Sequence, residues 1–247
     1  MTITVAVVGA AGKMGQLVCR LVEEADDLVL AARIGSKDDL SLMDAADVVV
    51  DFTVPGASQA VVEHAISRDL SVLVGTSGWS SARIGMLSHL MREHDEVGVV
   101  IVPNFSIGSV LATSFAATAG RFYDSIEIIE SHAASKLDSP SGTATRTAEL
   151  IGAARAAIGP VIAPHADQRA RGQQVASIPI HSLRMQGVVA KQDVVFGGDG
   201  ELLTISHETL SSTSYERGIL LALRATPAAR GVIVGLDKLI DLPMSSE

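Results

Sequence analysis

The chain has 247 residues, 47% of them hydrophobic and 19% charged, which excludes a disordered chain and leaves enough apolar material for a sizeable core. Its 28 acidic against 19 basic residues give a formal net charge of −9, so the overall field repels a polyanion and argues against nucleic acid as a partner. No apolar run approaches the ~20 residues that cross a bilayer, and Met1-Thr2 lead into an apolar run without a basic leader, so no membrane partner and a cytoplasmic location are expected.

In chain order, Ile3–Val8, Leu28–Ala32, Val48–Phe52, Ser71–Val74 and Val97–Val102 are β-branched runs with the pattern of strands. Helical-period segments such as Gln16–Glu24 and Ser58–Arg68 stand between them. This alternation predicts an α/β fold with a Rossmann-like parallel sheet covered on both faces. Cys19, the one cysteine, falls in the helical pattern Leu17, Val18, Leu21, Val22, and its place predicts core packing rather than chemistry.

The texture changes after Pro103-Asn104. A small-residue helix over about Ser109–Ala119 leads to a strand at Ile126–Glu130, a loop, and a helix opening near Ser141. Ser177–Met185, Val188–Phe196 and Leu202–His207 have the pattern of antiparallel neighbours, with Gly197-Gly198-Asp199-Gly200 supplying positive-φ residues for a hairpin. A helix over Ser214–Ala225 and a strand at Val232–Val234 resemble the first half and are expected to return to its sheet. The expected division is a dinucleotide-binding domain at 1–104, a substrate and tetramerisation domain at 105–213, and a returning segment at 214–247.

The strongest local signal is Gly9-Ala10-Ala11-Gly12-Lys13-Met14-Gly15, set between a strand and a helix. Residues without Cβ let backbone N–H groups approach a pyrophosphate, which the positive end of the helix dipole stabilises. Gly9, Gly12, Lys13, Met14 and Gly15 are therefore candidate cofactor ligands, with Lys13 as a phosphate partner. The carboxylate that would hold a ribose about 20 residues on is absent. In its place stand Arg33, Ser36 and Lys37, suited to a 2′-phosphate, so NADPH is preferred and NADH is possible. Gly75-Thr76-Ser77-Gly78 follows another strand, where small residues suit a ribose against the backbone.

A second constellation runs from Glu130 to Ala144. Ser141, Gly142 and Thr143 open a helix whose N–H groups and hydroxyls form an anion site suited to a substrate carboxylate. His132 and Lys136 lie on the loop before it, the first able to exchange a proton near neutral pH, the second a fixed positive charge or a second proton. His64, His89, His94 and His165 are assigned to surface or satisfied core positions. Glu127 and Glu130 are as easily a solvated edge or loop support as an acid/base pair, and no His/Cys/Asp cluster has metal spacing.

With these residues in view, the chain resembles the dihydrodipicolinate reductase family. The resemblance rests on Gly9–Gly15, Asp51-Phe52-Thr53 with Pro55, Val74-Gly75-Thr76, Pro103-Asn104-Phe105-Ser106, His132–Ala144, Ile178-Pro179-Ile180-His181-Ser182 with Arg184, and Phe196-Gly197. It implies a nucleotide domain to which the C-terminal segment returns, and an α+β substrate domain whose open mixed sheet builds a homotetramer. It also implies NAD(P)H-dependent reduction of a cyclic unsaturated imine dicarboxylate, most simply 4-hydroxy-tetrahydrodipicolinate in lysine and diaminopimelate biosynthesis. It adds Phe52, Pro103, Asn104 and Phe105 to the cofactor side, makes His132 the acid, and makes Lys136 a second proton donor and carboxylate partner. The chain departs from the family pattern at Ala133, Ser139, Lys191 and Ser212, with Arg184 or Lys191 expected to compensate for the histidine missing at 133. A paralogue acting on a related cyclic imine carboxylate and a non-catalytic nucleotide-sensing module are the alternatives.

Overall fold

The computed structural model describes residues 2–240. In chain order its strands are β1 (Ile3–Val8), β2 (Leu28–Ile34), β3 (Val48–Asp51), β4 (Ser71–Val74), β5 (Gly98–Ile101), β6 (Ser125–Ala133), β7 (Gln173–Val175), β8 (Ile178–Met185), β9 (Ala190–Gly198), β10 (Glu201–Thr209) and β11 (Gly231–Val234). Its α-helices are α1 (Lys13–Glu24), α2 (Pro55–Ser67), α3 (Ser81–Leu90), α4 (Ile107–Ala119), α5 (Gly142–Ala154) and α6 (Glu216–Ala225). The chain divides into two units, one of residues up to Phe105 together with those from Tyr215 onward, the other Ser106–Ser214.

The first unit is built on a six-stranded parallel sheet of order β11-β5-β4-β3-β1-β2. β3, β4 and β5 are buried at every position, and they are near-continuous valine runs because a sheet covered on both faces has no solvent side to make polar. One face packs Val49, Val72, Val74 and Val99 against Val62, Ile66 and Met43. α1 buries Gly15, Val18, Cys19, Leu21 and Val22, a single stripe at helical spacing, so Cys19 is core. The strand order reverses between β1 and β3, and the crevice at their carboxyl ends is where sheets of this kind take ligands. β11 adds beside β5 from the far end of the chain.

The second unit has a mixed five-stranded sheet, β10-β9-β6-β8-β7. Its covered face buries Ile126, Ile128, Ile178, Ile180, Val194 and Phe196 with Ala116 of α4 and Ala144, Ala148 and Ile151 of α5. The expectation that the strands after residue 177 are successive antiparallel neighbours holds for β9 and β10 and fails for β8. β6 lies between β8 and β9, parallel to the first and antiparallel to the second. In that place Ile126 and Ile128 are flanked on both sides by apolar residues of the same face. The hairpin from β9 to β10 also needs less than its four small residues suggest, since Gly198 pairs with Glu201 and only Gly200 has positive φ, at +79°. No helix among the described residues is long and apolar enough to cross a membrane.

Candidate active site

In the first unit, Gly9 leaves β1 at φ +82°, donates its N–H to the Ile34 carbonyl at 2.8 Å, and lies so close to the Phe52 carbonyl that a Cβ would fall well inside 3.0 Å of it. Gly15 has the same relation to the Gly9 carbonyl. Gly12 is the N-cap of α1 and offers no side-chain capping bond, and the first turn that Lys13, Met14 and Gly15 begin has no acidic residue. A helix start left uncapped and free of negative charge in its first turn, reached by a loop of glycine and alanine only, fits the pyrophosphate of a dinucleotide. Lys13 is exposed there.

The ends of β3, β4 and β5 join this crevice. Asp51 is fully buried and accepts from the Thr53 N–H at 2.9 Å, from its hydroxyl at 2.6 Å and from the Ser58 hydroxyl, which fixes the turn carrying Phe52. The Phe52 ring fills the space where a side chain at Gly75 would begin, and it packs against Phe105 at 5.5 Å between centroids. Gly75 N–H and the Thr76 hydroxyl both donate to the Asp51 carbonyl, at 2.9 and 3.3 Å. The structure thus brings Gly9, Phe52, Gly75, Thr76 and Phe105 together, with Pro103 and Asn104 following β5 just before Phe105.

Arg33 lies within β2 rather than beyond it, and its guanidinium pairs with Glu23 of α1 at 2.5 Å. That hydrogen bond raises its pKa above the ordinary value. Ser36 and Lys37 are exposed, and the Asp38 carboxylate next to them accepts the Gly35 N–H at 2.8 Å.

In the second unit, the group missed by sequence reasoning is Glu130. It is 0% exposed, neither a solvated edge nor a loose support. Its Oε2 lies 2.5 Å from His132 Nδ1 and accepts from Arg184 Nη1 at 3.0 Å; its Oε1 accepts from Arg184 Nη2 at 2.9 Å and from the Ser141 N–H at 3.2 Å. Burial works to raise its pKa, and hydrogen bonds from Arg184, Ser182 and His132 overcome that and hold it below the ordinary carboxylate value. Glu127, on the other face of β6, is also engaged, with Arg171 and with His181 Nε2 at 2.5 Å. The signal for Glu130 was present in β6, where Ile126, Ile128 and Glu130 share one face at a period of two and that face is the core.

His132 retains 18% of its side-chain exposure and Lys136 28%, with the Lys136 ammonium 2.7 Å from Asp138 Oδ1. Ser141 is the N-cap of α5, its hydroxyl accepting the Ala144 N–H at 3.2 Å while keeping a proton to donate. Nothing stands within 4 Å of where a Gly142 side chain would begin, and the first turn of α5 has no acidic residue, so the helix start is open to an anion.

Of the two residues expected to compensate for the histidine missing at 133, Arg184 is already engaged in the structure. Besides Glu130, Arg184 donates to the Leu183 and Asp138 carbonyls, both at 2.7 Å, which occupies all four protons of its two terminal nitrogens. Lys191 pairs with Asp193 and stands opposite Ser131 in the register, on the face of β6 that also carries Ala133.

Family models described as dihydrodipicolinate reductase, N-terminus and C-terminus, match residues 3–105 and 108–240. The chain belongs to the dihydrodipicolinate reductase family. It is 67% identical over its whole length to the 4-hydroxy-tetrahydrodipicolinate reductase of Clavibacter michiganensis, covering 89% of that protein, and 43% identical to the one from Cutibacterium acnes over 97% of this chain and 99% of that one. A solved dipicolinate-bound dihydrodipicolinate reductase from a Paenisporosarcina species superposes with a TM-score of 0.83 at 28% identity, over 97% of this chain and all of that one. Membership makes the chain an NAD(P)H-dependent oxidoreductase and accounts for the pairing of a Rossmann-like sheet with a second mixed sheet.

Proposed function

We propose that the chain reduces 4-hydroxy-tetrahydrodipicolinate to tetrahydrodipicolinate, the reaction its relatives are named for, as a step of lysine and diaminopimelate biosynthesis, with NADPH preferred over NADH. The bound nicotinamide supplies the hydride. Gly9, Gly12, Lys13, Met14 and Gly15 hold the pyrophosphate, Arg33 faces the 2′-phosphate, and Phe52, Gly75, Thr76, Pro103, Asn104 and Phe105 hold the nicotinamide half. The start of α5 at Ser141, Gly142 and Thr143 binds one substrate carboxylate, Lys136 binds the substrate and donates a proton, and His132 Nε2 is the acid.

The observation that carries this reading is the convergence on Glu130. One buried carboxylate bonds both the imidazole and the amide that begins α5, which keeps a proton donor and an anion site on one rigid support. The Lys136–Asp138 pair gives the ammonium one acidic partner among the described residues, at a site 60% exposed on the Asp138 side, which a substrate carboxylate can displace. The open face of the second sheet supports assembly into a homotetramer.

NADPH oxidation with enzymatically generated hydroxy-tetrahydrodipicolinate tests the activity. His132→Ala and Lys136→Ala are expected to lower kcat by about 10²- to 10⁴-fold while leaving the Kd for NADPH within about twofold. Full kcat in His132→Ala refutes its role as the acid, and no oxidation by the unaltered protein refutes the substrate.

A further inference from the structure

Glu130 does more than the proposed reaction asks of it. The carboxylate has no solvent contact and accepts from four side chains or amides: two nitrogens of Arg184, the Ser141 N–H, the Ser182 hydroxyl and His132. The bidentate guanidinium of Arg184 and the Ser141 N–H favour the charged form of the carboxylate, and its pKa is held below the ordinary value. The carboxylate is therefore ionised, and the only hydrogen bond it can make with His132 is one in which Nδ1–H donates.

We propose that Glu130, clamped by Arg184, is a positioning residue that fixes His132 as the Nδ1–H tautomer and so reserves Nε2 for proton exchange with the substrate. The inference rests on the reading of His132 as the acid. Arg184 extends the device, because the nitrogen that donates to Glu130 Oε1 also donates to the Asp138 carbonyl. Asp138 in turn holds the Lys136 ammonium, so the tautomer of one proton donor and the loop carrying the other share a single guanidinium. A neutral imidazole with no such partner distributes its proton between both nitrogens, whereas the Nδ1–H form held by Glu130 leaves Nε2 free to take up the proton that the imidazolium then delivers to the substrate, and delivery returns the ring to the same Nδ1–H form.

The test is the ¹⁵N spectrum of histidine-labelled protein bound to NADPH, with the His132 signals among the seven histidines assigned by their loss in His132→Ala. In the neutral imidazole of the unaltered protein, Nδ1 is expected to carry the proton and Nε2 to be bare. In Glu130→Gln the Nε2–H form gains, kcat falls by about 10- to 100-fold, the range seen when the outer partner of a working histidine is removed, and the Kd for NADPH stays within about twofold. Glu130→Gln leaves a largely enclosed guanidinium without its counter-charge, so Glu130→Gln/Arg184→Gln, which removes both charges, serves if the single variant does not fold. An Nε2–H tautomer in the unaltered protein overturns the proposal without any variant, as does an unchanged spectrum and kcat in a folded variant. Full turnover in His132→Ala instead strikes the reading of His132 as acid and leaves the tautomer result standing.

Discussion

Two glycines of the cofactor crevice look alike in the sequence and stand against different neighbours. A Cβ at Gly15 would meet backbone, the Gly9 carbonyl and Ala10 Cα, whereas a Cβ at Gly75 would meet the Phe52 ring. Backbone in a tight turn has nowhere to go; a ring can swing about its χ angles. Gly15→Ala is therefore expected to cost about 2–3 kcal/mol and to lower Tm by roughly 5–10 °C, at ~2–4 °C per kcal/mol for a chain of this size. Gly75→Ala is expected to leave Tm within about 3 °C and to weaken nicotinamide binding by displacing Phe52. Thermal melts and cofactor titration of both variants check this, and a Gly75→Ala protein as destabilised as Gly15→Ala would show that the ring is locked. At this scale the sequence shows which residues lack side chains but not what occupies the space. It equally shows that Glu130 shares a face with Ile126 and Ile128, and the step from that pattern to a buried, ionised carboxylate needed Arg184, which lies 54 residues away and comes alongside only through the pairing of β6 with β8.

At the scale of elements, legibility followed the physics of each sheet. The parallel strands stood out because burial on both faces writes them as apolar runs, and β1 and β4 begin and end where those runs do. The mixed sheet was harder. β7 has three residues and no periodicity, and the turn that joins it to β8 uses Ala176 and Ser177 at positive φ where a glycine would have signalled it. The insertion of β6 between β8 and β9 is a choice of partner that no local pattern records. The cofactor side raises the same issue for α1 and β2: Arg33 was conspicuous as a cation, while its partner Glu23 on the neighbouring helix was not. Both side chains are half exposed, so their pairing competes only weakly with a phosphate. Glu23→Gln is expected to tighten NADPH by a few-fold at low ionic strength, to leave NADH unchanged, and to lose most of the gain in ~0.5 M salt, where exposed charges are screened. Fluorescence titrations with both cofactors at two ionic strengths decide it; an unchanged NADPH-to-NADH ratio would remove Arg33 from the 2′-phosphate site.

At the scale of the whole molecule, the alternation in β6 decides which face of the second sheet is left open. Even-numbered positions pack on α4 and α5 or reach Glu130 and His132, and odd-numbered ones face the other way. On that second face Ile129 is 37% exposed and Leu183, diagonal to it on β8 where it pairs with Ser131, 39%. Around them lie charges already matched within the chain, Glu127 with His181 and Arg171, and Lys191 with Asp193. A sheet face with an apolar centre and internally paired charges loses little by being covered and gains from burial of its Ile and Leu side chains. If this face builds the proposed homotetramer, Ile129→Lys/Leu183→Lys places two unpaired cations at its centre on every subunit. Light scattering on the unaltered protein is then expected to give about four chain masses, and on the double variant one or two, at concentrations in the micromolar range. The circular dichroism of the variant should remain native, because both side chains lie outside the core that Ile126, Ile128, Ile178 and Ile180 form. A monomeric unaltered protein would refute assembly through any face, while an intact tetramer of the double variant would move the interface elsewhere and leave this sheet facing water.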